Sequence, residues 1–305
     1  MSEISGDSGF LTQGHTELEI YVRSTVGVER DLNLVRHFVQ HYRDLGVSNF
    51  RLILHAREEG SIKLQEAIVL LRELGLSPAA IWITKDWDTG SNAGYHRRVV
   101  EDLPSDAWIV STDIDEFHFY PTALPEFTRT LARDGVEVVR GRLIDRVTRE
   151  FRITPLREDV SLMSQFPVEA DFWISNPGNP GKIMLHRNYI LTTPGHHSFQ
   201  AEVSRELIVY PVVLKVAHFK WFKGVEEKYT DPALIAHHSD TWVYPLYQRL
   251  IRQNFTGVGR IANLCLHTKL GRVFRGCVRG GVRSIRRIGK SVLGSIGVGC
   301  KENNR

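Results

Sequence analysis

The sequence predicts an α/β protein with a mostly parallel sheet flanked by helices. Strand-like and helix-like segments alternate through the first two-thirds of the chain, as in βαβ units. The helix-like segments carry apolar residues at the 3.6-residue spacing of an amphipathic helix. The densest group of acids falls just after the fourth strand-like segment, and ligands of open α/β sheets bind beyond the carboxyl ends of the strands.

The elements read in order. Glu17–Thr25 (ELEIYVRST) alternates apolar and polar positions, as a strand does. In DLNLVRHFVQHYRDLG the apolar positions Leu32, Leu34, Val35, Phe38, Val39, Tyr42 and Leu45 form a helical stripe that stops at Gly46. NFRLILH is a second strand. SIKLQEAIVLLRELG is a helix with Ser61 as N-cap and Gly75 as its stop. AAIWITKD is a strand, SNAGYHRRVVEDL a helix and AWIVSTD the fourth strand. Beyond Pro121 follow a helix, TALPEFTRTLARDG, and a strand, VEVVRGRLIDRV. Positions 148–214 read as less regular, and LIVYPVVLKVAHF reads as a late strand ending near His218.

The chain has 305 residues, 42% hydrophobic and 24% charged, a globular composition with material for a large core. No apolar run reaches the roughly 18 residues of a spanning helix. The polar, acidic start MSEISGDSGF lacks the basic start and apolar centre of a secretory signal. Cys265, Cys277 and Cys300 are odd in number and show no CxxC spacing, which points to the reducing cytoplasm. The net charge of +4 is uneven. Residues 269–305 hold ten Lys or Arg and the single acid Glu302. Removing them from the chain's 39 basic and 35 acidic residues leaves 29 and 34 in residues 1–268. The expected organisation is one domain over 1–268 and a basic, glycine-rich tail over 269–305. The tail is either disordered or a peripheral membrane contact, since its apolar residues fall at near-helical intervals among arginines. It has one aromatic, Phe274, so nucleic acid is not an expected partner.

The segment AWIVSTDIDEFHFYP sets Asp113, Asp115 and Glu116 between two apolar runs. Carboxylates so close repel, and burial adds a desolvation cost. A magnesium or manganese ion removes both, taking oxygen ligands from one or two carboxylates and a substrate's phosphates. A solvated turn and a hydrolytic metal site are the competing readings, although no HExxH or HxH accompanies the acids. GVGRIA (257–262) resembles a dinucleotide fingerprint but follows a helical pattern, not a strand, and GNPGK (178–182) is too short for a phosphate-binding P-loop.

Several stretches, in this order, are similar to the family-2-like glycosyltransferases of the GT-A fold. They are LVRHFVQHYRDLGVSNFRLIL (34–54), DAWIVSTDIDEF (106–117), LIDRV (143–147), SQFP (164–167), GKIMLHR (181–187), PGHHSF (194–199) and VAHFKWFKGVEEK (216–228). The resemblance covers about residues 17–230. It implies a GT-A-like, Rossmann-type fold and a nucleotide-sugar donor. It also implies Mn2+ or Mg2+ and hexosyl transfer with inversion to a glycan, lipid or protein acceptor. Asp113 and Asp115 would hold the metal with the donor diphosphate. His218 would complete the shell, and Lys220 and Lys223 would face the diphosphate. Arg97 and Arg98 face either the diphosphate or solvent. An inverting enzyme needs a base for the acceptor hydroxyl; Glu169 and Asp171 are the carboxylate candidates, and His197, beside His196 on its loop, is a third catalytic candidate. The alternatives are a metal-dependent hydrolase using the same carboxylates and a non-catalytic carbohydrate-, nucleotide- or membrane-binding protein.

Overall fold

The computed structural model describes residues 19–150, 152–170, 180–199 and 206–225. Asp171, the three cysteines and the tail from residue 269 lie outside the described residues, as do the segment around DPALIAHHSD and most of SNPGNPGK. The chain divides into two compact units. The first comprises residues up to Arg142 together with Gly181–Val216. The second comprises Leu143–Pro180 and the chain from Ala217.

The first unit opens with β1 (Ile20–Gly27), α1 (Leu32–Asp44), β2 (Asn49–Ala56), α2 (Ile62–Glu73), β3 (Ala80–Ile83), α3 (Thr89–Arg98) and β4 (Trp108–Ser111). β1 lies between β2 and β4, and β2 carries β3, all in parallel, with Thr25 opposite Ile53 and Val22 opposite Val110. This is the parallel run that the alternation predicts. β5 (Glu116–His118), α4 (Leu124–Arg133), β6 (Val138–Val147), β8 (Gly181–Arg187) and β9 (Leu214–His218) follow, and the strand order is β3-β2-β1-β4-β8-β6-β9-β5. β8 runs antiparallel between β4 and β6.

The local chemistry explains the elements. Of the α1 stripe, Leu34, Val35, Phe38, Val39 and Tyr42 are buried, and Leu32 and Leu45 at its two ends are half-buried. Ser61 Oγ accepts from Leu64 N at 3.4 Å as the α2 N-cap, and Gly75 ends the helix at φ +69. The central strands bury Val22, Leu52, Ile53, Leu54, Trp108 and Ile109. The expected late strand over 207–219 is shorter: β9 starts at Leu214, because Pro211 has no N–H to give a ladder.

β6 shows how tight this packing is. A Cβ on Gly141 would stand 2.2 Å from Met184 Sδ and 2.8 Å from Val216 Cγ2. Gly141→Ala is therefore expected to destabilise the protein by about 1–3 kcal/mol, the usual cost of overpacking. Urea unfolding checks this; an unchanged midpoint would mean that Met184 and Val216 yield without cost.

In the second unit β7 (Val168–Ala170) pairs antiparallel with the last residues of β6, setting Arg146 opposite Glu169. The short helix α5 (Leu162–Gln165) precedes it, capped by Ser161 through Ser164 N at 3.2 Å. Among the described residues no helix is long and apolar enough to cross a membrane.

Candidate active site

A tight turn after β4 gathers the acids. Glu116 N donates to Asp113 O at 3.0 Å, closing a turn over Asp113–Glu116 with aspartate in the first position, where its side chain is favoured. The Thr112 hydroxyl lies 3.0 Å from the carbonyls of both Asp113 and Glu116, and Tyr42 Oη donates to the Glu116 carbonyl at 3.2 Å. Ile114 is buried, whereas Asp113 and Asp115 keep part of their surface. Glu116 is buried, and one of its carboxylate oxygens lies within 4.8 Å of one from Asp115.

Lys182 of β8 meets these acids from the neighbouring strand. Its buried ammonium lies 2.9 Å from Asp113 Oδ2 and 2.7 Å from Glu116 Oε1, and donates to Gly195 O at 2.7 Å. Burial works against the charged lysine, but the carboxylates of Asp113 and Glu116 outweigh it and raise the ammonium above the ordinary lysine range. Desolvation likewise favours neutral Asp113, and Lys182 outweighs it, holding that carboxyl below its usual range.

The donor set tests whether a metal fits. Three carboxylates meet at the turn, and two of them, Asp115 and Glu116, bring an oxygen each within 4.8 Å of one another. The donors are all oxygens, the set that magnesium and manganese prefer. The residues present therefore fit such an ion.

The other candidates fall as follows. Arg97 and Arg98 close α3. The Arg98 guanidinium lies 5.0 Å above the Tyr95 ring, and Arg97 lines a cleft between α3 and the turn Pro194–His196. His197 Nδ1 is 2.9 Å from Gly181 O, the residue before Lys182, and His196 is buried with φ 57. In the second unit His218 Nδ1 stands 3.0 Å and Lys220 Nζ 3.5 Å from Asp145 Oδ1. Burial alone would raise the Asp145 carboxyl; Lys220 and the hydrogen bond from His218 lower it instead. Lys223 is exposed, with its backbone N bonded to Thr154 O at 2.9 Å. Glu169 Oε1 is ion-paired with Arg146 at 2.8 Å, and the same guanidinium donates to the carbonyls of Phe166 and Pro167.

No family profile and no curated protein matches the chain. Among solved structures, a crystal structure of S. aureus TarS aligns at TM-score 0.33 and 11% identity, over 83% of this chain and 46% of its own. A second, of S. aureus TarS 1-349, aligns at TM-score 0.31 and 9% identity, over 83% and 76%. The chain spans less than half the length of the first. At these scores the likeness assigns no activity.

Sequence reasoning missed three residues. Lys182 directly precedes the apolar run Ile183–Leu185 and Asp145 directly follows Leu143 and Ile144, and a charge abutting an apolar strand run signals a buried counter-ion. Arg23 sits at a polar position of an alternating strand, which made it look solvent-facing; it is 5% exposed.

Proposed function

We propose that the protein is a metal-dependent glycosyltransferase that moves a sugar, of hexosyl type, from a nucleotide-diphosphate donor to a glycan, lipid or protein acceptor. The observation that carries this reading is the Asp113–Glu116 turn, which gathers three carboxylates at the carboxyl end of a parallel strand. When bound there, Mn2+ or Mg2+ offsets the charge of a donor diphosphate and stabilises the leaving group. Asp113 and Asp115 are its proposed ligands, and Lys182 keeps Asp113 ionised. His218 as a further ligand, Lys220 and Lys223 toward the diphosphate, and inversion through Glu169, Asp171 or His197 rest on the sequence resemblance.

Calorimetry with UDP and with GDP, with and without manganese, tests the reading. Binding of one nucleotide is expected, and only with the metal. No heat from either nucleotide in the presence of manganese would overturn the proposal.

A further inference from the structure

Beside the acid turn, but lined by other residues, the first unit has an open cleft. Arg23, Asn92, His96, Arg97, Thr192 and His196 contribute to its wall, and among the described residues no acidic one lines it. Its charge is unbalanced. Arg23 NH1 donates to His96 O at 2.8 Å, and NH2 donates to Ser111 Oγ at 2.6 Å and reaches Thr192 Oγ1 at 3.5 Å. All three acceptors are neutral, and Nε is buried without a partner. Burial alone moves this guanidinium, down to about 10, with no carboxylate near enough to oppose it. A buried cation is normally paired, because desolvating a lone charge is costly.

A second atom is unmatched beside it. The Thr25 hydroxyl donates to Asn92 Oδ1 at 2.7 Å, so it accepts from His96 Nε2–H at 2.9 Å. Burial holds His96 neutral, with its ordinary value lowered to about 3. Its Nδ1 is therefore a bare acceptor, and it too is buried without a partner. The neighbouring His186 is likewise neutral. Its Nδ1–H donates to Arg187 O at 2.8 Å and its Nε2 accepts from Ser111 at 2.8 Å, so it supplies no charge to the cleft.

We infer that this cleft binds an oxyanion that also carries a hydroxyl, a monoprotonated phosphoryl group being the simplest. A charged oxygen answers Arg23, a P–OH answers His96 Nδ1, and Arg97 stands exposed on the lining to hold a second oxygen. The inference does not depend on glycosyl transfer. The phosphoryl group belongs either to a nucleotide or to a separate phosphorylated ligand.

Titrating the full chain with inorganic phosphate at constant ionic strength, with chloride as control, tests this. Saturable binding is expected. Arg23→Gln should weaken it roughly tenfold or more, since a hydrogen bond to a charged group is lost. Arg97→Gln, an exposed change that leaves folding intact, should weaken it roughly two- to fivefold. Repeating the titration with saturating UDP separates the sources: competition assigns the phosphoryl group to a nucleotide, and unchanged binding assigns it to another ligand. Absence of saturable phosphate binding, or binding unaltered in both variants, would overturn the inference. Phosphate binding without any metal-dependent nucleotide binding would leave the cleft standing and sink only the transferase.

Discussion

Lys182→Met is expected to destabilise the protein by about 3–5 kcal/mol, the cost of breaking a buried ion pair from one side. The lysine is 3% exposed and faces two carboxylates at 2.9 and 2.7 Å, one of them, Glu116, only 2% exposed. Methionine fills similar space but takes the positive charge away from both. It also removes the donor to Gly195 O, which ties β8 to the 194–196 turn. The loss should depend on pH with a definite sign. Asp113 is held below its ordinary range, so its contribution is present above about pH 4 and disappears as pH falls through the folded-state value. Lys182 is held above its range, so its contribution persists up to about pH 10 and disappears above the folded-state value. The difference between wild type and variant should therefore be fullest near neutrality and shrink in acid. Adding Glu116→Gln should cost less than the two single changes summed, because the charge left facing the methionine is gone. Urea unfolding at neutral pH measures all three variants. A loss below about 1 kcal/mol for Lys182→Met would show that the pair is no stronger than a surface salt bridge.

The alternating elements were legible because each obeys local physics. The α1 stripe, the Ser61 cap and the Gly75 stop are contained in short windows of sequence. β8 was not legible. Its run Ile183–Leu185 is buried on both sides between β4 and β6, so it has no period-two alternation to betray a strand. The segment before β9 was overcalled because Ile208, Val209, Val212 and Val213 read as strand while Pro211 among them cannot join a ladder.

The acid turn was legible for the reason that makes it unusual: three carboxylates between apolar runs demand compensation. The compensation itself was not, because Lys182 lies 69 residues from Asp113 in sequence and meets it only through the pairing of β8 beside β4. Arg23 was hidden by a different effect. Alternation marks one face of a strand as solvent, but helices cover both faces of a parallel sheet, and the Arg23 guanidinium is bonded under α3 through the His96 carbonyl.

Asp115→Asn is expected to lower turnover by roughly a hundredfold or more, about 2.7 kcal/mol of transition-state stabilisation, while leaving the fold intact. The change keeps the shape and removes one carboxylate charge from the turn. A divalent ion and a donor diphosphate would then meet a site with one charged ligand fewer. Asp115 is the cleaner position to test. Asp113 is paired with Lys182, so changing it disturbs the ion pair as well as any metal. Asp115 instead acts on Asp113 by repulsion, and its neutralisation relieves that repulsion. Thermal stability without metal should thus hold steady or rise slightly, within about 0.5 kcal/mol as for a partly exposed change. Metal dependence is the sharper readout: the variant should need much more manganese to reach half its own maximal rate, and excess metal should restore part of the activity. If wild-type turnover persisted at limiting manganese, Asp115 would have no metal to hold, and the turn would be a solvated cluster of acids paired with Lys182.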